Sequence, residues 1–298
     1  MKKIIKRFAI SLLMFAFIFC FSDNASKNVY ADTADFIIDR NGVLTGYSGV
    51  GGSIVIPNGV IKIGEKAFSG CNDIVSVKFP NSITTIEKGA FDSCNNLKSV
   101  TLSNKLKTIE ESAFWGCKNL KTIVIPNKVK TIEFGAFCNC DSLNSMYIPQ
   151  TVSSIGDYAL GFSFDGGYNA IKDFTIVSSK KSMAKSYSDK YEFRFISIES
   201  LKTSITTVQK TSNNRINMKW KKNKYVTGYQ IQISSDAKFS ASKTKTITVT
   251  KAKTISKTIK LTTNKKYIHI RGYRTIAGKK YYSAWSSTYK LNIGAKHN

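Results

Sequence analysis

From residue 55 onward the chain repeats itself with a period of 23 residues. A unit so short cannot bury its own apolar face and must stack on copies of itself. Residues 55–77 read VIPNGVIKIGEKAFSGCNDIVSV, and residues 78–100, 101–123 and 124–146 repeat that pattern without a gap. A fifth copy starts at Tyr147 and decays after Leu160. Ile56, Phe79, Leu102, Ile125 and Ile148 form one apolar column. Val60, Ile83, Leu106, Val129 and Val152 form a second, and Ile63, Ile86, Ile109, Ile132 and Ile155 a third. An Ala-Phe pair recurs at Ala67-Phe68, Ala90-Phe91, Ala113-Phe114 and Ala136-Phe137, and becomes Ala159-Leu160. Ile74, Leu97, Leu120 and Leu143 complete the set. Columns of this kind predict one continuous core. All four prolines (Pro57, Pro80, Pro126 and Pro149) share a column. A proline there marks the end of a short strand, where no ladder donor is needed.

Each repeat therefore contributes a strand around Ser-Val-Lys-Phe or its equivalents, and successive strands lie about 4.8 Å apart in a parallel ladder. Alternation turns Ser76, Lys78, Ser99, Thr101, Thr122, Val124, Ser145 and Tyr147 to solvent on one face. Taken singly these are ordinary solvated strand positions. Taken together, Lys78, Ser99, Thr101, Thr122, Val124 and Tyr147 are the candidate ligand-binding face.

The IPN…V…IG…AF…C…L pattern of residues 56–74 resembles the BspA-like family of bacterial surface leucine-rich repeats. The lead-in DFIIDRNGVLTGYSG resembles that family's hairpin before the first repeat. Residues 174–198 resemble its closing segment: a strand, FTIV, a short helix near 182–191 and a strand, FRFISI. The resemblance spans about residues 35–198. It implies adhesion and ligand binding outside the cell, with no catalytic activity.

Chemistry within the repeats finds little support. Cys71, Cys94, Cys117 and Cys140 share a column. In-register parallel neighbours hold their Cβ atoms about 4.8 Å apart, beyond the roughly 3.5–4.5 Å of a disulfide. Zinc would want short ligand pairs. A ladder of buried free thiols is the expectation, with Cys138, outside the column, as an exposed one. Glu87, Glu110 and Glu133 also align. Stacked carboxylates suit calcium or an acid pair, but regular spacing builds a stripe, not a converging pocket. Lys88, Lys107 and Lys130 relieve that stripe. Neither histidine, His269 or His297, lies in the repeats, and no phosphate loop or metalloprotease motif appears. The chain is expected to be no enzyme, with no cofactor and no metal.

At the N-terminus, Lys2, Lys3, Lys6 and Arg7 precede an apolar run over 8–21, and Val29-Tyr30-Ala31 offers a cleavage site. This reads as an export signal over residues 1–31. Phe19 before Cys20 argues against lipid attachment. No later stretch is apolar enough to cross a membrane, so the mature chain is expected to have no transmembrane segment. No sorting motif ends the chain, so a secreted or bacterial cell-surface protein, attached non-covalently, is expected.

Composition changes near Glu199. Residues 200–298 carry 22 Lys and Arg against one acid, Asp236, hence +21; residues 32–199 carry 18 against 17, hence +1. The basic segment alternates at Ile216, Met218 and Trp220, at Tyr229, Ile231 and Ile233, and at Ile268, Ile270 and Gly272. Tyr267, His269, Arg271 and Tyr273 are expected to face outward. Trp220, Tyr229 and Ser283-Ala284-Trp285-Ser286 make residues 202–294 resemble a fibronectin type III domain. The overall expectation is a mainly β chain: a capped leucine-rich repeat solenoid over 32–199, then a small fibronectin type III-like β-sandwich over 200–298.

Charge this one-sided attracts polyanions. Lys219, Lys221, Lys222, Lys224, Lys243, Lys245, Lys265, Lys266, Lys279 and Lys280 are the candidate polyanion-binding residues. No recognition motif accompanies them, so no specific nucleic acid is expected. The leading expectation is an adhesion or ligand-binding protein. Its solenoid strand face binds a host or matrix protein or glycan, and the basic domain serves as spacer or electrostatic tether to an anionic cell-wall polymer. The rival is a non-adhesive wall-associated structural module retained on such polymers.

Overall fold

The computed structural model describes residues 33–211, 214–261 and 267–291; the export signal, Lys265 and Lys266 lie outside them. The 23-residue period winds into a solenoid with two ladders. One holds the anticipated strands: Gly52–Val55, Ile74–Lys78, Ser99–Thr101 and Thr122–Ile123 pair in parallel. It is not continuous with the next turns. Ser145–Tyr147 pairs instead with Thr175–Ser178, and that strand with Arg194–Ser197.

The second ladder was not expected. The Thr-Ile steps Thr85–Ile86, Thr108–Ile109 and Thr131–Ile132, with Lys62–Ile63 and Ser154–Ile155, pair in parallel. The antiparallel hairpin of Phe36–Ile38 and Val43–Tyr47 caps this ladder. Two-residue strands carry too little alternation to be read from sequence.

Between the ladders the columns become the core. Phe68, Phe91, Phe114 and Phe137 stack within 6° of parallel, with centroids 4.8, 5.1 and 5.2 Å apart, close to the strand separation itself. Each turn bends twice through left-handed backbone, once at Lys66, Gly89, Ser112, Gly135 and Tyr158, and again at Gly70, Ser93, Gly116 and Asn139. The period imposes this conformation even where a side chain is present, at a local steric cost. At the far end Leu160 breaks the phenylalanine column. Tyr187, on the helix Met183–Lys190, covers it there: its hydroxyl accepts from Leu160 N at 3.0 Å and donates to Leu160 O at 3.1 Å.

The cysteines Cys71, Cys94, Cys117, Cys138 and Cys140 are free. Cys94, Cys117 and Cys140 each donate from Sγ to a phenylalanine carbonyl of the preceding turn at 3.0–3.2 Å. Cys138 corrects an expectation. It is fully buried, not exposed, and burial pushes its thiol up to about 12. Trp115 and Tyr168 pack over this part of the core, a covering that the repeat columns do not reveal.

In the basic segment, Ile205–Thr211, Arg215–Trp220 and Ser256–Lys260 form a three-stranded antiparallel sheet. Thr244–Val249, Gly228–Ser234, Tyr267–Ile276 and Lys279–Tyr282 form a second, to which Tyr289–Lys290 adds. Ile216, Met218 and Trp220 share one core with Tyr229, Ile231, Ile268 and Ile270. His269 and Tyr273 were expected in solvent but are buried. Phe239 and Trp285 sandwich the imidazole with centroids at 3.6 and 3.9 Å, and Tyr282 lies against Tyr273.

The two halves are docked. The boundary at 199/200 falls inside the turn Ile198–Leu201, and the second core includes Val177 and Ile196 from the last solenoid strands. A Cβ on Gly272 would lie 2.2 Å from the Leu201 carbonyl, so only glycine lets this strand approach the connection. Tyr147 and Tyr281 stack at 3.7 Å. The C-terminal domain therefore packs on the solenoid, where a free spacer was expected.

Candidate functional site

Docking creates a cleft. Tyr267–Ile276 and Lys279–Tyr282 are joined by Ala277 and Gly278, with φ of 50° and 74°. A two-residue loop with both φ positive has the twist that tight hairpins favour. The tip of this hairpin stands beside the solenoid strand face and encloses about 480 Å³ with it. Ser99, Thr101, Thr122 and Val124 form the solenoid side, with Asn104, Asn127 and Lys128 beyond them; Ala277 and Lys279 form the facing wall.

Side chains at Ser99, Thr101 and Thr122 are exposed, because alternation buries Val100 and Ile123 between them. In-register pairing of Ser99 with Thr122 sets two hydroxyls side by side on adjacent strands. The lining offers hydroxyls, two amides and two ammonium groups, and no carboxylate. Such a surface complements hydroxyl-rich or acidic groups.

Four of the six expected face residues thus meet in one cleft. Lys78 is exposed and pairs in register with Thr101, but sits one strand away from the lining. Tyr147 is corrected: it points outward, yet Tyr281 covers its ring. Ala277 and Lys279 were missed as cleft residues, since nothing local in the sequence says where a hairpin tip will dock.

The basic candidates spread widely. Lys219 ends a strand of the smaller sheet, Lys221, Lys222 and Lys224 lie in the following connection, and Lys245 is on the Thr244–Val249 strand. Lys243 closes a short helical turn, and Lys279 and Lys280 flank the hairpin tip. All eight are exposed. Lys224, Lys279 and Lys280 hold their ammonium groups 5.0–5.7 Å from tyrosine ring centroids.

The aligned glutamates do structural work. Glu110 accepts from Lys88 N and Glu133 from Glu111 N, each at 3.1 Å, while Glu87 pairs with Lys62 at 3.1 Å. Burial and the neighbouring Glu133 raise the Glu110 carboxyl above its usual range. Among the described residues no cluster has the composition to hold a metal ion, and no helix is long and apolar enough to cross a membrane.

Residues 51–165 match the family model of the BspA type leucine rich repeat region, in six copies, over a span that the columns divide into four full copies and a fading fifth. Among solved structures, the chain is similar to a leucine-rich repeat protein of T. pallidum at 29% identity, covering 50% of this chain and 71% of that one, with a TM-score of 0.45. It is also similar to a leucine rich cell surface protein of Faecalibacterium prausnitzii at 29% identity, covering 51% and 39%, with a TM-score of 0.43. A leucine-rich repeat protein of Bacteroides ovatus matches at 26% identity, covering 48% and 47%, with a TM-score of 0.41. No curated protein matches the chain. The repeats over residues 51–165 thus match the BspA-type leucine-rich repeat family, while the basic C-terminal segment lies outside that match.

Proposed function

We propose that the chain is an exported, non-catalytic ligand-binding protein of the cell surface, which adheres to a protein or glycan partner through the cleft between its two halves. The observation that carries this reading is the cleft itself. It has a preformed floor of aligned hydroxyls, Lys128 and Lys279 on opposite walls, and no carboxylate in its lining. A similar solved chain, that of F. prausnitzii, is described as a cell surface protein, which agrees with this location.

The basic half resembles a fibronectin type III domain, and its strand distribution supports that resemblance. Taken in order, its first, second and fifth strands form one sheet, and the third, fourth, sixth, seventh and eighth the other, the eighth pairing with the sixth. Its 22 basic residues against one acid suit non-covalent retention on an anionic wall polymer. Packed as it is, this domain acts as a tether that also builds one wall of the cleft.

The test is an array of extracellular-matrix proteins and polysaccharides probed with the full chain. Thr101→Arg and Thr122→Arg fill the floor from exposed positions and are expected to weaken a captured partner about tenfold or more, with unchanged thermal unfolding. Capture that survives both substitutions undiminished overturns the assignment of the cleft.

A further inference from the structure

On another edge of the solenoid, where each repeat turns through left-handed backbone, the regular columns are broken by aromatic residues. The column of Glu65, Lys88, Glu111 and Asp157 holds Phe134, and the column of Ser69, Asp92 and the buried Cys138 holds Trp115. The other turns show that stacking requires no ring at either position. Phe134 nevertheless remains 37% exposed, and Trp115 is half-buried.

The decayed fifth repeat supplies the third ring. In place of another turn it forms a hairpin of Phe162–Phe164 and Tyr168–Ala170. Tyr168 from this hairpin lies perpendicular to Trp115 (6.2 Å, 86°) and to Phe134 (5.9 Å, 85°). Tyr158 stacks behind it at 3.8 Å and fixes its plane. Gly135 has no side chain for a reason: a Cβ there would sit 2.9 Å from the Trp115 ring. Phe164, 43% exposed, packs at 6.0 Å from Trp115.

Trp115, Phe134 and Tyr168 share an open depression of about 380 Å³ with Asp92, Ser93 and Ser112. Ser93 Oγ donates to Asp92 Oδ1 at 3.0 Å, which orients the carboxylate. We propose that this depression binds a neutral pyranose unit of a glycan, at a site separate from the cleft. A pyranose has an apolar C–H face that packs on an aromatic ring and a rim of hydroxyls that need partners. The rings supply the first requirement, and one carboxylate with two hydroxyls supplies the second. A few placed polar groups beside apolar walls are the ordinary composition of a small-ligand site. A quaternary ammonium ion, the other ligand that rings attract, has no use for the serine hydroxyls and favours a deeper enclosure.

The experiment is saturation-transfer NMR on the full chain with methyl glucoside, methyl galactoside and N-acetylglucosamine, each up to about 0.1 M. At least one sugar is expected to give saturable transfer. Phe134→Glu and Trp115→Ser each install a residue that the same column already carries in another turn, and thermal unfolding of each variant checks that the fold is retained. Each is expected to weaken the sugar about tenfold or more. Any of three results overturns the proposal: no transfer from any of the sugars, transfer that neither aromatic variant reduces, or tetramethylammonium saturating the site in their stead.

Discussion

Both halves of the molecule stack rings, but on opposite sides of their sheets. In the solenoid, Phe68, Phe91, Phe114 and Phe137 form a like-on-like column inside the core. In the C-terminal domain, Phe239, His269, Trp285, Arg271 and Tyr282 form a mixed column on the face opposite Ile268 and Ile270. The Arg271 guanidinium lies 3.9 Å from the Tyr282 centroid and 4.2 Å from that of Trp285, and its Nε and Nη2 donate to Gln230 Oε1 at 2.9 and 2.6 Å. One column is written by a period. The other is assembled from three separate stretches of chain, and it places the Arg271 cation between two rings, which attract it electrostatically.

Charge differs in the same way. Solenoid lysines have carboxylates within reach: Lys62 meets Glu87, Lys88 meets Glu111, and Lys190 meets Asp157. The C-terminal half has one acid for 22 basic residues, so its charge is turned outward. A repeat balances its own surface turn by turn, whereas a domain of unlike strands can concentrate one sign.

The largest loss of stability is expected from Phe114→Ala. Removing the middle ring of a fully buried stack is expected to cost about 3–5 kcal/mol, read as a fall in denaturant midpoint. A change below about 1 kcal/mol would mean that the solenoid core tolerates a gap and that the phenylalanine column is not its spine.

Next in size is the salt response of the basic half. Binding of the full chain to linear polyphosphate is expected to fall steeply and linearly on logarithmic axes, losing about tenfold or more between 50 and 200 mM salt if about two or more phosphates are neutralised. A flat dependence would remove the tether.

The smallest effect concerns His269. Burial foremost, and then the charge of Arg271, hold its imidazole down at about 4, against an ordinary value of 6.5. Its Nε2 donates to Gln232 Oε1 at 2.9 Å. The unfolded chain therefore binds a proton that the folded chain refuses between those values. Stability is present in full above about 6.5 and declines as pH falls toward about 4. His269→Gln is expected to flatten that decline in pH-dependent melting. An unchanged slope would show that the histidine does not titrate there.

Much of the solenoid was legible because one unbroken period aligns every core column, and because a proline ends the strand in four of the five copies, Ser103 standing in the other. Its caps were legible from departures at Leu160 and beyond. What escaped were contacts that no local pattern encodes. Tyr147 obeys its alternation, yet Tyr281, far along the chain, decides that it is covered. Cys138 lies outside every core column but is sealed by rings from elsewhere. Ser99, Thr101, Thr122 and Val124 were placed on the right face, while the opposing wall waited on the docking of a hairpin. Trp115 and Phe134 carried a readable signal, an aromatic ring where the preceding turns carry polar residues, which stands out only once columns are compared for their exceptions.

The buried cysteines have a kinetic meaning. A thiol reagent reaches Cys94, Cys117, Cys138 and Cys140 only when the turns around them separate, because none presents its sulfur to solvent. Cys94, Cys117 and Cys140 sit on successive turns from one end of the spiral toward the other, with Cys138 on the same turn as Cys140. Their order of alkylation records where the spiral begins to come apart, so the intact chain contains its own clock for opening, distributed along its axis.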